Sequence, residues 1–508
     1  MQSLGFLPSA GKVTFRLRTI SSRAKRPPNS AWAILERGLP QSSSQHRVFR
    51  LAEQPGSHLL PFSIRVPFAL ATDHQSMATP RDGPISELPA LGLLSDHQRP
   101  TRLHYRILCL CFLAWIFDFY DLILFTFLLV PIARDLALTP MQSSLALGFS
   151  FLMTAVGGVS FGFIGDRFGR RPVMIATVAI YGVGTLLCAA AGTFLQLVLL
   201  RSLTGLGVGG EWAAGQSMIA ETFPARSRAR YSAYVQLGAP LGGLLAALAA
   251  GYAQPLLGWR LVFALSALPA ALVAFAVWRW MPESDVWLRG GYRRRINASD
   301  WNLLRPHRTS LTILFFIFLV NSEAYWFTYS WLPGYLELKR GLSSAASSRL
   351  LVGMQIGALF GYLSFGFFAD RFGRRPAYSA YAALMAVGLL PPTILWTWSA
   401  MTPGLIAVAM GVTGFGTGVW SGSGPLMSEL VPTRLRNSVM GLMLNVTRGF
   451  QFFTPIAITA LAPRLGFGPT LALGALFAAI GSILVWGLPE TRGRSITSMD
   501  ETGLEVAP

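Results

Sequence analysis

The sequence predicts an all-α membrane protein with twelve transmembrane helices in two pseudo-symmetric six-helix bundles. The 508 residues are 52% hydrophobic and only 13% charged. Twelve apolar runs of about 20 residues follow one another from Arg106 onward, and a run of that length crosses the hydrocarbon layer as a helix. A thirteen-residue segment occurs twice, and arginine collects in alternate loops. These observations together predict two similar halves that cross a membrane.

The apolar runs form two sets of six. They lie at 107–132, 143–164, 172–192, 195–221, 231–253 and 260–281, and at 309–336, 346–368, 376–398, 403–427, 438–461 and 468–488. The predicted domains are an N-terminal extension over 1–104, two bundles over 105–281 and 309–488, a central cytoplasmic loop over 282–308 and a cytoplasmic tail over 489–508.

The N-terminal extension differs in composition from the rest of the chain. Residues 1–76 are rich in Arg, Ser and Pro, and Glu36, Glu53 and Asp73 are their only acidic residues. This composition is similar to that of a transit peptide or of a basic tail that touches anionic lipid. The simpler expectation is disorder, because the segment lacks sustained periodicity. A further hypothesis is that Met77 is the true start, which N-terminal mass analysis would test.

The repeated segment fixes the architecture. Residues 160–172 return at 364–376 with eleven of thirteen positions identical, at an offset of 204 residues. Each copy is a short Asp/Arg/Gly hinge between two apolar runs, and charged groups are expensive in lipid. Each copy is therefore expected to be a tight loop at a membrane surface. A long internal repeat of this kind indicates two similar halves.

The first copy reads Gly162-x-x-Gly165-Asp166-Arg167-x-Gly169-Arg170-Arg171 and resembles the signature loop of the major facilitator superfamily; 366–375 resembles its second copy. The resemblance covers about 105–495 and implies a transporter. It also implies that the charged residues of the loops form cytoplasmic ion pairs that break when the transporter switches. The gating residues implied are Asp166, Arg167, Arg170, Arg171, Asp370, Arg371, Arg374 and Arg375.

A second repeat supports the same resemblance. Glu221-x-x-Pro224-x-x-x-Arg228 recurs as Glu429-x-x-Pro432-x-x-x-Arg436, at an offset of 208 residues. Glutamate and arginine across a helix end can pair and unpair, so these four charged residues join the gating set. Pro-Glu pairs at 282–283 and 489–490 close the two halves and resemble those of sugar porters and metabolite–proton symporters. The stretches 201–212 and 117–121 resemble sialate and aromatic-acid proton symporters more than sugar porters.

Loop charges predict the orientation. The loops on the side of the repeated motif, together with the tail, carry nineteen arginines, whereas the opposite loops and nearby helix ends carry six Lys or Arg residues. Cytoplasmic loops carry the excess of positive charge, so both termini are expected in the cytoplasm. This distribution also explains the net charge of +19 better than nucleic-acid binding does.

Four carboxylates lie within predicted spans: Asp118 and Asp121 in the first, Glu211 in the fourth and Glu323 in the seventh. Ionisable residues in spans indicate function by default. In the family fold, the first, fourth, seventh and tenth helices line a central cavity, which would bring the four together. Burial and mutual repulsion make it costly to ionise them all, so at least one is expected to exchange a proton. The alternative for each is a packing hydrogen bond or an ion pair with Arg201 or Arg448.

Arg448 is the candidate substrate-binding cation, since its guanidinium fork suits a carboxylate or a phosphate. Asn445, Gln236 and Gln451 are expected to help. The alternative is a permanent pair between Arg448 and one of the carboxylates. Tyr325, Trp326 and Trp420 could stack on a ring or line the cavity, although packing is the expected role for any one of them.

The function predicted is proton symport of a small organic anion, such as a sialic, lactic or aromatic acid, across the plasma or inner membrane by a chain that works as a monomer. No Gly-Lys-Ser/Thr phosphate loop, hydrolase triad or metal cluster occurs, so neither an enzyme nor a cofactor is expected. The six histidines are expected outside the spans. The alternatives are a sugar porter, a nutrient sensor that does not transport, and a drug antiporter; the last is suggested by Gly238-Ala239-Pro240-Leu241-Gly242-Gly243.

Overall fold

The computed structural model describes residues 3–9, 12–18, 94–97, 99–224, 228–288, 302–431 and 436–492. The predicted central loop is therefore described only in part, and the tail only to residue 492. The helices of the N-terminal half are α1 (Arg102–Asp135), α2 (Pro140–Phe168), α3 (Arg170–Cys188), α4 (Phe194–Thr222), α5 (Arg228–Gln236), α6 (Gly238–Leu248), α7 (Gln254–Trp280) and the short α8 (Asp285–Leu288).

The C-terminal half repeats this order. Its helices are α9 (Arg308–Leu338), α10 (Ser344–Phe372), α11 (Arg374–Thr393), α12 (Pro403–Gly416), α13 (Ser423–Ser428), α14 (Arg436–Phe450), α15 (Phe453–Leu465) and α16 (Phe467–Leu484). A 3-10 segment, Thr417–Gly422, joins α12 to α13. The eleventh apolar run is split between α14 and α15 at residues 451–452.

The predicted helical fold is confirmed. Within the described residues, eight helical stretches are long and apolar enough to cross a membrane. One of them, Arg230–Trp280, contains the fifth and sixth runs, which a π-helical turn (Ala249–Ala253) and the positive φ of Gly258 separate. The fourth and ninth runs are also helical, in α4 and α11, but their polar residues and prolines lower their hydropathy. The eleventh run forms two helices, α14 and α15, each of which is too short to span a membrane by itself. The twelve runs thus form the helices of a twelve-helix bundle.

A β-hairpin lies in the segment expected to lack regular structure. Strand β1 (Ser3–Ser9) pairs antiparallel with β2 (Lys12–Arg18), with Ser3 opposite Arg18. Alternating apolar residues flank Ala10 and Gly11 in the sequence, which is the pattern of a hairpin. The hairpin and the helical bundle belong to separate units, 1–86 and 87–508.

Small residues bring the helices of each half into backbone contact. A Cβ added to Gly209 of α4 would lie 1.8 Å from the carbonyl oxygen of Thr154 in α2. In the C-terminal half, a Cβ on Gly414 of α12 would lie 1.7 Å from the carbonyl oxygen of Met354 in α10. Only glycine permits such close approach, as is common between membrane helices.

The two halves meet along two seams. At one seam, the Ser144 hydroxyl of α2 donates to the carbonyl oxygen of Pro455 in α15 (2.8 Å) and contacts the Thr459 hydroxyl. At the other, α6 packs on α10, and a Cβ on Gly243 would meet the Gln355 amide at 2.5 Å. We call the end of the bundle that holds residues 165–171 and 369–375 the motif end, and the opposite end the distal end.

The prediction that all six histidines lie outside the spans is wrong for His104. Helix α1 begins at Arg102, so it contains His104, and the ring of this residue is fully buried. Its Nδ1 accepts from the Thr101 N–H (3.0 Å), and its Nε2 lies 3.0 Å from the carbonyl oxygens of Leu94 and Thr222. The ring therefore joins the start of α1 to the end of α4.

Candidate functional site

A buried ion pair lies in the middle of the N-terminal half. Arg201 Nη1 of α4 lies 3.0 Å from Asp121 Oδ2 of α1, and both side chains are almost fully buried. The Thr185 hydroxyl of α3 donates to the other oxygen of Asp121 at 2.5 Å. The Arg201 guanidinium also lies 4.4 Å from the centre of the Phe125 ring. Asp121 is therefore paired with Arg201 in the structure. This ion pair is one of the alternatives to a carboxylate that exchanges a proton.

Three further buried charges face one another beside this pair. Asp118 interacts electrostatically with Glu211, Arg448 and Asp121, and Arg448 interacts with Glu211. Within the described part of the chain, neither oxygen of Asp118, nor Oε2 of Glu211, nor Nη1 of Arg448 has a hydrogen-bond partner. A buried polar group left unpaired in this way is costly. Such a set of groups can accept an external ligand or a proton.

Arg448 reaches this cluster from the C-terminal half. It lies on α14, and its guanidinium is 5.8 Å from the centre of the Trp212 ring of α4. Trp212 Nε1 donates to Gln236 Oε1 at 3.2 Å, so the predicted residue Gln236 supports the ring under the cation. Gln216 donates to the same oxygen at 3.4 Å. Trp212 and Gln216 are not among the predicted site residues; they lie four residues apart on α4, just after Glu211.

Asn445 and Gln451 have different surroundings. Asn445 lies one turn before Arg448; its amide donates to the carbonyl oxygen of Gly441 (2.9 Å) and packs so closely on Gly158 of α2 that no Cβ fits there. Gln451 donates to the Ser322 hydroxyl of α9 at 2.5 Å, where α14 breaks. Asn445 is thus placed at the seam near the cluster, whereas Gln451 supports the broken helix.

Glu323 stands apart from the other three carboxylates. It lies on α9, and the hydroxyl of Thr454, at the start of α15, donates to it at 2.5 Å. The sequence predicts that all four carboxylates line one central cavity. The structure brings Asp118, Asp121 and Glu211 together and places Glu323 beside the break between α14 and α15.

The predicted aromatic residues pack against other rings. Tyr325 stacks on Tyr329 with centroids 4.1 Å apart, and Trp420 meets Tyr325 edge-on at 6.3 Å. Trp326 contacts Phe151 of α2 at 4.3 Å, so it joins the two halves. Tyr325 and Trp326 are buried. Packing is therefore the role that the structure assigns to these rings.

The predicted gating residues Asp166, Arg170 and Glu221 of the N-terminal half form one network at the motif end. Arg170 Nη1 lies 2.7 Å from Asp166, and its Nη2 lies 2.7 Å from Glu221. The carboxylate of Glu283 accepts from the backbone N–H groups of Arg170 (2.9 Å) and Arg171 (3.2 Å), at the start of α3. A carboxylate at a helix N-terminus is stabilised by the unpaired N–H groups there.

The C-terminal half has the same network. Arg374 lies 2.6 Å from Asp370 and 3.2 Å from Glu429. Glu490 accepts from the backbone N–H groups of Arg374 (2.8 Å) and Arg375 (3.2 Å). Partial burial alone would raise the pKa of Glu490, but these two donors and the N–H groups of residues 491 and 492 together lower it.

Glycine is required where these networks cap the helices. Gly169 and Gly373, just before α3 and α11, have φ angles of 104° and 107°. A Cβ on Gly169 would lie 2.3 Å from Glu283 Oε2, and one on Gly373 would lie 2.8 Å from Glu490 Oε2. Sequence analysis noted the Pro-Glu pairs as closing the halves but gave the two glutamates no role. Their recurrence at an offset of 207 residues was the signal.

Some of the residues predicted to gate lie outside these networks. Arg167 and Arg371 are exposed, and each lies over the ring of the phenylalanine that follows it, at 5.5 and 5.6 Å. The side chains of Arg228 and Arg436 are outside the described part. Glu221 and Glu429 bond to Arg170 and Arg374.

Comparison with known proteins places this geometry in a family. The model of the Major Facilitator Superfamily matches residues 110–364 and 341–503. A putative metabolite transport protein of Haemophilus influenzae is 29% identical over 75% of this chain and 94% of its own. A probable 4-methylmuconolactone transporter of Cupriavidus pinatubonensis is 27% identical over 77% and 92%. The sialic acid transporter NanX of Escherichia coli is 28% identical over 73% and 91%.

Solved structures share the fold. The crystal structure of a D-xylose–proton symporter superposes with a TM-score of 0.63 over 77% of this chain and 99% of its own, at 19% identity. At that identity the likeness concerns the fold alone.

Proposed function

The chain belongs to the major facilitator superfamily, and from that membership we propose that it is a secondary transporter that carries a small organic anion together with a proton. Its relatives are named as transporters of an organic acid, of a lactone and of metabolites. The multi-pass helical fold is that of a membrane transporter. The coupling to a proton and the anionic nature of the substrate are what we propose.

The charge balance of the buried cluster is the observation that carries it. Three carboxylates and two guanidinium groups are buried together there. With all five ionised, the cluster has a net charge of −1, and one bound proton makes it neutral. An uncompensated buried charge is expensive in a membrane. Loading a proton therefore removes a penalty that the empty, fully ionised site would carry.

The two guanidinium groups are the proposed anion ligands. Protonation of Asp121 would weaken its pair with Arg201, and protonation of Asp118 or Glu211 would leave Arg448 facing one carboxylate in place of two. Either event weakens the internal contacts of a guanidinium fork that suits a carboxylate. Proton binding then favours anion binding, and release of the proton on the other side favours release of the anion. This order of events is symport.

Access to the site alternates by rocking of the two halves about it, as in other repeat transporters. The seam residues Ser144 and Asn445 lie where the halves would part. We place the motif end in the cytoplasm on the distribution of arginine between loops. A single chain contains both halves, which supports function as a monomer in the plasma or inner membrane.

The alternative function of a drug antiporter rests on the Gly/Pro motif of the fifth run, residues 238–243. In the structure this motif contributes packing: a Cβ on Gly242 would lie 2.4 Å from the carbonyl oxygen of Ile116 in α1, and Gly243 packs on Gln355. These contacts need no drug-export function. The sugar porter, the sensor and the antiporter remain distinguishable by experiment.

The test is proton movement in proteoliposomes that hold a pH-sensitive dye. Adding sialic, lactic or an aromatic acid outside should acidify the interior, after subtraction of the leak measured in empty liposomes. Asp121→Asn and Glu211→Gln should abolish the acidification. Asp135→Asn is the matched control, because Asp135 is a carboxylate at the distal surface that pairs with Arg260.

Three results would overturn the proposal. Full proton-driven accumulation by Asp121→Asn and Glu211→Gln would remove both from the proton path. Alkalinisation of an acid-loaded interior by a cationic drug would establish the antiporter. Hexose-driven acidification without any response to organic acids would establish a sugar porter.

A further inference from the structure

A cavity lies at the distal end of the bundle, away from the buried charge cluster. It has a volume of about 990 Å³ and shares no lining residue with the cluster. Both halves line it, through the distal ends of α1 and α2 on one side and of α9, α11, α15 and α16 on the other. A cavity of this size accommodates a small organic molecule.

The charged residues that line this cavity are all cations. They are Arg134 of α1, and Lys339 and Arg340 at the end of α9. None of the three forms an ion pair among the described residues. Two carboxylates lie outside the lining: Glu337, which interacts electrostatically with Arg134, and Asp135, which pairs with Arg260. The mouth is therefore positively charged and attracts anions from solution.

Arg340 is held in a fixed position. Its guanidinium lies 4.9 Å from the centre of the Tyr335 ring and 5.0 Å from that of Trp396, and its Nη2 donates to the carbonyl oxygen of Thr393 at 2.9 Å. Its buried Nε has no partner within the described part of the chain. A guanidinium fixed by aromatic rings loses little conformational freedom when it binds a carboxylate.

An aromatic wall with unused donors lies beside it. Tyr335 stacks on Phe467 with centroids 5.7 Å apart, and Trp331 meets Phe467 edge-on at 5.8 Å. Trp331 and Ser143 both line the cavity, and each is more than nine-tenths buried. Among the described groups, nothing accepts from Trp331 Nε1 or pairs with the Ser143 hydroxyl. Buried polar groups normally have partners, so these two indicate a ligand.

We propose that this distal cavity is a second binding site, a vestibule that holds a planar organic monocarboxylate before it reaches the central cluster. The ring lies against Trp331, Tyr335 and Phe467, and the carboxylate meets Arg340 and the unused donors. Arg134 and Lys339 at the mouth raise the rate of capture. The inference rests on the proposed function only in that the same anion then moves to Arg448.

The experiment counts bound 4-fluorobenzoate on the full chain in nanodiscs, by equilibrium dialysis and ¹⁹F NMR, with empty nanodiscs subtracted and benzyl alcohol as the neutral comparison. The unmodified protein should bind two molecules. Arg448→Gln removes the central guanidinium that is not in the Asp121 ion pair, and it should leave one bound molecule. In that background, Arg134→Gln with Lys339→Gln should weaken the remaining binding about tenfold and reduce its dependence on salt.

Two conservative variants separate binding from folding. Trp331→Phe removes the indole N–H and reduces the size of the ring but keeps an aromatic face, and it should weaken the remaining binding several-fold. Arg340→Lys keeps the charge and loses the fork, and should act in the same direction. Arg349→Gln is the matched control, because Arg349 is exposed on α10 near the distal end and does not line the cavity. It should leave binding unchanged.

The binding experiment gives different results when the vestibule proposal is wrong and when the central anion site is wrong. If Arg448→Gln abolishes all binding, or if the vestibule variants leave binding unchanged, the vestibule is not a binding site. Neither result contradicts the proposed transport function. If Arg448→Gln changes nothing while the vestibule variants abolish binding, the vestibule stands and the central anion site falls. Binding of benzyl alcohol as tight as that of 4-fluorobenzoate would overturn the anion-binding role of the vestibule.

Discussion

In the N-terminal half, Arg170 joins Asp166 to Glu221, and in the C-terminal half Arg374 joins Asp370 to Glu429 in the same way. The middle of the two halves is different. Helix α4 carries Arg201 and Glu211, whereas its counterpart α12 contains no charged residue. The repeated charges bond the ends of helices to one another in both halves. The unrepeated charges serve what only one half does, which is the proposed handling of protons.

The largest effect should come from breaking the unrepeated ion pair. Arg201→Leu leaves Asp121 buried without its partner, and removing one member of a buried pair costs about 3–5 kcal/mol. Thermal unfolding in nanodiscs should show a clear fall in midpoint. The double variant Asp121→Asn with Arg201→Leu should recover part of that loss, since no lone charge remains. An unchanged midpoint for Arg201→Leu would mean that the pair contributes nothing to stability.

A smaller effect should separate the two repeated networks. The Arg170 side chain is 3% exposed, whereas that of Arg374 is 19% exposed. Burial reduces screening by water, so Arg170→Ala should cost about 3 kcal/mol and Arg374→Ala about 1 kcal/mol. Thermal unfolding of the two variants at matched pH measures the difference. Equal losses would show that exposure does not distinguish the halves.

The sequence was sufficient for the repeated parts and insufficient for the unrepeated ones. Two copies at half-chain spacing predicted the helices, the halves and the loop at the motif end. The pairing of Asp121 with Arg201 was considered but could not be chosen, because it depends on how each helix is rotated about its axis. The same rotation separates Glu323 from the other carboxylates. Glu283 and Glu490 recur in the sequence, but they bond to backbone N–H groups, so no oppositely charged side chain in the sequence indicated their partners.

The cap glycines should give the next effect. Gly169→Ala places a Cβ 2.3 Å from Glu283 Oε2, in a backbone conformation that L residues rarely adopt. Strain of this kind costs about 1–3 kcal/mol. Gly373→Ala meets Glu490 at 2.8 Å and should cost somewhat less. Gly162→Ala and Gly366→Ala are the matched controls, because both lie in helices and an added Cβ meets nothing within 4 Å. Thermal unfolding should leave the two controls near the midpoint of the unmodified protein.

The smallest effect should be a dependence on acid in the C-terminal network. The pKa of Glu490 is lower than usual, so the folded protein binds this proton less readily than the unfolded chain. The carboxylate therefore adds stability above the ordinary glutamate pKa of about 4.3, and this contribution is lost as the pH falls through the lower pKa of the folded state. The carboxylate is only partly buried, so solvent screening keeps the effect below about 1 kcal/mol.

Unfolding midpoints measured at neutral and acidic pH should isolate this contribution. Glu490→Gln should lower stability slightly at neutral pH and make the acid loss shallower. Thr491→Ala is the matched control: it removes the hydroxyl that donates to Glu429 at 2.5 Å but keeps the N–H that donates to Glu490. It should lower stability while the acid loss keeps its slope. If Glu490→Gln and Thr491→Ala have the same acid dependence, the N–H groups of residues 374, 375, 491 and 492 do not stabilise the Glu490 carboxylate. The network would then depend on Arg374 alone.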